Sequence, residues 1–182
     1  MIRAMLLVTA VLIAACAQQG DTASSIESDS ICDPSEPPSV ELGNATGGDF
    51  EPLQDGDPSF LVGAPQGGFG VAIRAMTTGL LTDDYVDVNL ITEVDGSTTG
   101  EFLNEGVNLY CHESGRGLIW GAVVGFDPEL FPSTESLGVL YGKYVKLTVE
   151  VSDATENTAV GTVSVLIRHP SGFGDEPPEI SN

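Results

Sequence analysis

The chain has 182 residues, 41% hydrophobic and 18% charged, with 27 acidic side chains against 6 basic ones and a formal net charge of -21. That charge, with a pI near 4.1, repels phosphate backbones and anionic lipid surfaces, so a nucleic-acid partner is excluded. The length suits one domain plus a leader, and 22 Gly and 11 Pro with few aromatics suit an all-β domain.

Met1 to Ala15 carries a single positive charge, Arg3, followed by an apolar run that is too short to span a bilayer as a helix. It ends in Ile13-Ala14-Ala15-Cys16, an aliphatic residue and two small ones before a cysteine. This resembles the lipobox of bacterial lipoprotein signal peptides. The resemblance implies removal of residues 1–15 and acylation of Cys16, with the membrane as a partner through that lipid. Two or more acyl chains at ~0.8 kcal/mol per buried CH2 anchor stably, whereas one alone is marginal. The residue after Cys16 is Ala17, not the Asp associated with inner-membrane retention, which points towards the outer membrane of a cell envelope. Loss of Arg3 leaves 27 acidic against five basic side chains.

Residues 16–38 are rich in Ser, Asp, Glu and Pro with almost no aliphatics, and burial there cannot offset the entropy of ordering. They read as a flexible tether holding the domain roughly 25 Å from the lipid. Residues 171–182, SGFGDEPPEISN, read as a loose tail.

Three cysteines in an exported chain, less Cys16 for the lipid, leave Cys32 and Cys111 as a pair in an oxidising compartment, which predicts a disulfide. The alternatives are a metal site using Cys111 with His112, or a catalytic thiol.

Residues 39–170 are expected to fold as a single antiparallel β-sandwich, because the dominant period is two and turn residues recur every 8 to 12 positions or so. In chain order the predicted strands are Ser39 to Leu42, Ser59 to Val62, Phe69 to Thr77, Asp84 to Glu93, Gly100 to Leu103, Leu118 to Val124, Leu140 to Val151 and Ala159 to Arg168. The loop Gly63 to Gly70 between the second and third reads as a tight crossover, or as a ligand-facing loop using Gln66. The clearest pair is the last, with Tyr141, Val145, Leu147, Val149 and Val151 on one face. Val163, Val165 and Ile167 answer them across a turn from Asp153 to Asn157.

This hairpin resembles the closing strands of immunoglobulin-like and polycystic-kidney-disease-type modules, although Tyr144 lies on the polar parity. The resemblance implies an immunoglobulin-like sandwich. The upstream segment PLQDGDPSFLVGAPQGGFGVAIRA is similar to one in small lipoproteins of myxobacterial type, which implies architecture and location but no activity.

Reactive groups are mainly acidic clusters: Asp55 with Asp57, Asp83 with Asp84 and Asp87, Glu93 with Asp95, and Asp153 with Glu156. Most read as solvated turns. Asp55 and Asp57, flanking Gly56, are the candidate ligands should Ca2+ bind, since hard oxygen donors suit that ion. No other cofactor is expected. His112 and His169 read as surface or turn residues, and no hydrolase elbow or zinc motif is present. Trp120 in LIWGAVV reads as sandwich core or, alternatively, as a carbohydrate-stacking platform.

The expected function is therefore that of a non-catalytic, lipid-anchored envelope protein contacting an envelope or surface protein or glycan. A carbohydrate- or Ca2+-dependent binding module is the alternative, and a carboxylate hydrolase a third.

Overall fold

The computed structural model describes residues 32–64 and 67–169. The predicted leader and most of the tether, with Cys16, the residue Gln66 and the C-terminal tail lie outside the described residues. The described chain is all-β. Eight strands run in the order β1 (Ser39–Asn44), β2 (Pro58–Gly63), β3 (Phe69–Thr78), β4 (Asp84–Val94), β5 (Ser97–Cys111), β6 (Gly117–Gly125), β7 (Tyr144–Ser152) and β8 (Thr158–Arg168). One 3-10 turn, Ser136–Leu140, precedes β7. Among the described residues no helix is long and apolar enough to cross a membrane.

The strands close into a seven-strand ring, β3-β2-β8-β7-β4-β5-β6 and back to β3, while β1 adds to β3 beside β2. The closure is uneven. β4 and β7 pair over eight positions and β3 and β6 over seven, but β5 meets β6 only at Tyr110↔Leu118 and Cys111↔Gly117. β2 is shared, with Pro58 to Phe60 parallel to Leu166 to Arg168 of β8 and Leu61 to Gly63 antiparallel to Phe69 to Val71 of β3.

Alternation fixes which side chains fill the interior. On β7, Val145, Leu147, Val149 and Val151 are buried, and on β8 Val163, Val165 and Ile167 face them in one core. Val71, Ile73 and Ala75 of β3, with Ile119 and Val124 of β6, fill the opposite wall of the same cluster. Each buried Val, Leu or Ile contributes ~1.5 to 3 kcal/mol. Gly161 of β8 sits where β1 crosses: a Cβ there would lie 2.6 Å from the Val40 carbonyl oxygen, so only glycine allows this approach.

Two strand boundaries differ from expectation by about four residues or more. β5 runs on to Cys111 instead of stopping at Leu103, because Gly106 does not turn the chain. It takes φ 68° in a bulge opposite Asp87, whose carboxylate accepts the Gly106 amide at 3.2 Å. β7 begins at Tyr144 instead of Leu140, because Ser136–Leu140 coils into the 3-10 turn and Gly142 reverses the chain with φ 78°. Tyr144 lies on the solvent face, as its parity predicts.

Candidate functional site

The site grows from an irregularity in β6. Between Ile73↔Ala122 and Ala75↔Ile119, β6 spends one residue more than β3. The bulge at Trp120 and Gly121 throws the indole to the outer face, where it is 54% exposed, so the expectation of a core tryptophan is corrected.

On that outer face β1, β3 and β6 align Glu41 with Met76 and Leu118, and Gly43 with Arg74. Arg74 is only 8% exposed, in the middle of β3 and flanked on both sides by apolar residues. Its guanidinium donates to the carbonyls of Gly47 (2.8 Å), Gly48 (3.2 Å) and Asp49 (3.0 Å), which holds the segment 47–52 against the sheet as one wall. Its Cζ lies 5.3 Å from the Trp120 ring centroid, a cation-π contact worth ~0.5 to 2 kcal/mol.

The opposite wall is the β5-β6 turn. Arg116 pairs with Glu41 at 2.8 Å, and His112 and Ser114 bond through Nδ1 and Oγ at 2.9 Å. The Ser114 amide also donates to His112 Nδ1 at 3.2 Å, so that nitrogen is an acceptor. Between the walls lies a hollow of ≈ 570 Å³, floored by Met76 and Leu118 and flanked by Phe50 and Trp120. Two of the five basic residues in the described chain, Arg74 and Arg116, line it. Each keeps a buried Nε-H with no hydrogen-bond acceptor.

Sequence reasoning passed over both arginines. The available signal was Arg74 inside FGVAIRAM, a cation amid residues that alternate as core.

The disulfide expected from the sequence is present. Cys32 and Cys111 are joined with Cα atoms 5.9 Å apart, which engages the Cys111 thiol that the metal and nucleophile readings required. It fastens the chain just before β1 to the base of the His112 wall.

Asp55 and Asp57 lie at the turn that seats β2 on β8. Asp55 Oδ1 accepts the Ser164 amide and Asp57 Oδ2 the Gln54 amide, both at 2.8 Å. Backbone bonds Gly56 N to Ser164 O (2.7 Å) and Leu166 N to Asp57 O (2.9 Å) complete the junction. Among the described residues no group of three or more His, Cys, Asp or Glu side chains is placed to hold a metal ion. His169 stacks edge-on against Tyr141 at 4.7 Å.

Of the acidic turns, Asp153 departs from the solvated expectation. It is 7% exposed and accepts from Leu81 N (3.0 Å), Thr155 N (2.9 Å), Thr155 Oγ1 (2.7 Å) and Asn157 N (3.0 Å). Burial pushes its carboxyl upward, but the bonds from Leu81, Thr155 and Asn157 outweigh that and hold it below the usual carboxylate range. A second hollow, on the outer face of β7, β4 and β5, is lined by Asp87, Glu101 and Glu150 with Asn89 and Leu103. It presents carboxylates and lacks a lining cation.

No protein-family model and no curated protein matches the chain. Among solved structures, the CooA pilin subunit from enterotoxigenic Escherichia coli is similar over 71% of this chain and 97% of that one, at 14% identity and a TM-score of 0.34. A TM-score at that level does not assign a shared fold.

Proposed function

We propose that this chain is a non-catalytic, lipid-anchored protein of a bacterial cell envelope, and that the groove beside Trp120 is its binding surface. In this reading Cys16 carries the lipid, residues 16–38 are the tether, and the domain is an immunoglobulin-like sandwich standing off the outer membrane. The Cys32–Cys111 disulfide supports export to an oxidising compartment. The sandwich assignment is supported by the way the ring narrows to two paired positions between β5 and β6 and switches partners along β2. The observation that carries the binding role is Trp120, half exposed over a nearly buried arginine in a walled hollow.

Recovery of the protein from native membranes tests the reading in two arms. Intact mass is expected to match Cys16 to Asn182 plus acyl groups, with a gain of two hydrogens on reduction. Crosslinked partners from the same envelope are expected for the wild type and not for Trp120→Ala. An unlipidated mass overturns the anchor, and identical crosslinks from both proteins overturn the groove.

A second reading, a carbohydrate-binding module, is favoured by the same exposed indole, since sugars stack on aromatic faces that a filled core would hide. A Ca2+ ion at Asp55 and Asp57 would enter only as a structural adjunct at the β2-β8 junction.

A further inference from the structure

The chemistry of the groove narrows what it takes, given the carbohydrate reading above. We infer that it binds a neutral saccharide, with one sugar ring on the exposed face of Trp120 and hydroxyl oxygens accepting from the Nε-H groups of Arg74 and Arg116. Arg74 and Arg116 both line the hollow, and each keeps a buried Nε-H without an acceptor. A buried donor left without an acceptor costs ~1 to 3 kcal/mol, so an occupant offering oxygens is favoured there. The rim supplies the converse. Glu41, Asp49 and Glu113 are acceptors, and Glu41 remains 44% exposed despite its pairing with Arg116.

A ligand that meets unpaired donors and carboxylate acceptors at once must both give and take hydrogen bonds, which hydroxyl groups do. The remaining lining, Met76, Leu118 and the indole, suits the C-H face of a sugar ring. A polyanion fits poorly, because a net charge of -21 opposes its approach. The Nε atoms are buried, so bonds to them require a local rearrangement of the groove walls on binding.

The chain has one tryptophan, so tryptophan emission, excited selectively over the four tyrosines, reports on this groove. The full chain is titrated with maltohexaose, cellohexaose and mannohexaose as neutral probes, and with trigalacturonate as an anionic one, each to ~10 mM, a ceiling that captures even millimolar affinities. A saturable emission change with at least one neutral probe is expected, unmoved by added salt. Calorimetry is expected to show binding lost in Trp120→Ala and weakened about tenfold in Arg116→Lys, which keeps the charge but removes the Nε-H. Circular dichroism checks that both variants are folded. Saturation by trigalacturonate alone, suppressed by salt, overturns the neutral assignment in favour of an anion site. No saturable change with any probe overturns the saccharide inference. In that case the wider binding role still stands if Trp120→Ala abolishes crosslinking to an envelope protein, and falls with it if crosslinking is unchanged.

Discussion

Removing the Asp153 carboxylate tests whether the acidic composition has a structural component. This side chain joins two distant parts of the chain, since Leu81 lies 72 residues before it in the β3-β4 connection while Thr155 and Asn157 belong to the β7-β8 turn. A hydrogen bond to a charged group contributes ~1.5 to 3 kcal/mol. The turn donors regain water when the carboxylate is removed, whereas the Leu81 amide, half-buried, regains less. Asp153→Ala is therefore expected to lose about 2 to 4 kcal/mol in urea unfolding, and Asp153→Asn about half of that. The pH dependence has a definite sign. The folded carboxyl titrates below its unfolded value, so the unfolded chain binds the proton first. The contribution is full above the unfolded pKa of ~3.9 and disappears as pH falls through the folded pKa. The stability gap between wild type and Asp153→Asn is thus expected to be constant from pH 7 to ~5 and to shrink in stronger acid. A loss under ~0.5 kcal/mol for Asp153→Ala, or a gap that widens in acid, refutes the reasoning.

Gly161→Ala is expected to destabilise by ~1 to 3 kcal/mol, because its Cβ meets the Val40 carbonyl at 2.6 Å, whereas Gly121→Ala, with open space around it, is expected to stay within ~1 kcal/mol of wild type; thermal unfolding of the pair checks this. Thr77→Val removes a buried hydroxyl that has no partner, and its stability in urea unfolding is expected to hold or rise; a fall of more than ~1 kcal/mol would mean the hydroxyl is bonded. Replacing Cys32 and Cys111 together with serine is expected to cost ~2 to 4 kcal/mol, seen as a Tm lower by about 5 to 15 °C, with little effect of reductant on the variant. Trp120→Ala is expected to cost about 1 to 3 kcal/mol, through the buried half of the indole and its contact with Arg74, while leaving the fold intact and abolishing groove binding; urea unfolding checks this.

The strands were legible where one face is buried and the other wet, because a period of two then survives in the residue types. β7 and β8 are the plainest case, with every inward valine on the expected parity. Legibility fails where a strand carries an extra residue. At Trp120 the bulge inverts the parity that would have sent the indole inward, and at Gly106 a residue pair that resembles a turn is absorbed into a continuing strand. Pairings between distant strands, such as parallel β2 on β8, leave no local mark. The Asp55-Gly56-Asp57 turn illustrates this: its carboxylates resemble free ligands in sequence, yet one is capped by Ser164, 109 residues away. The disulfide was legible by counting alone once Cys16 is read as the lipid acceptor, and its partners needed no geometry.

The groove depends on these illegible features acting together. The bulge turns Trp120 outward, but an exposed indole on a flat sheet would be only a patch. It becomes a hollow because Arg74, on the same row of β3, spends its guanidinium on three backbone carbonyls and raises the 47–52 segment into a wall. The facing wall follows Cys111, whose bond to Cys32 fixes the point where β5 gives way to the His112–Arg116 turn. Arg116 then reaches across to Glu41 of β1 and ties that turn to the strand beginning seven residues after Cys32. The same short stretch of chain therefore carries the disulfide, starts the first strand and braces the groove. Two of the three arginines among the described residues, Arg74 and Arg116, shape this one surface of a very acidic chain, which is why that surface and not the carboxylate hollow is the one to test for a ligand.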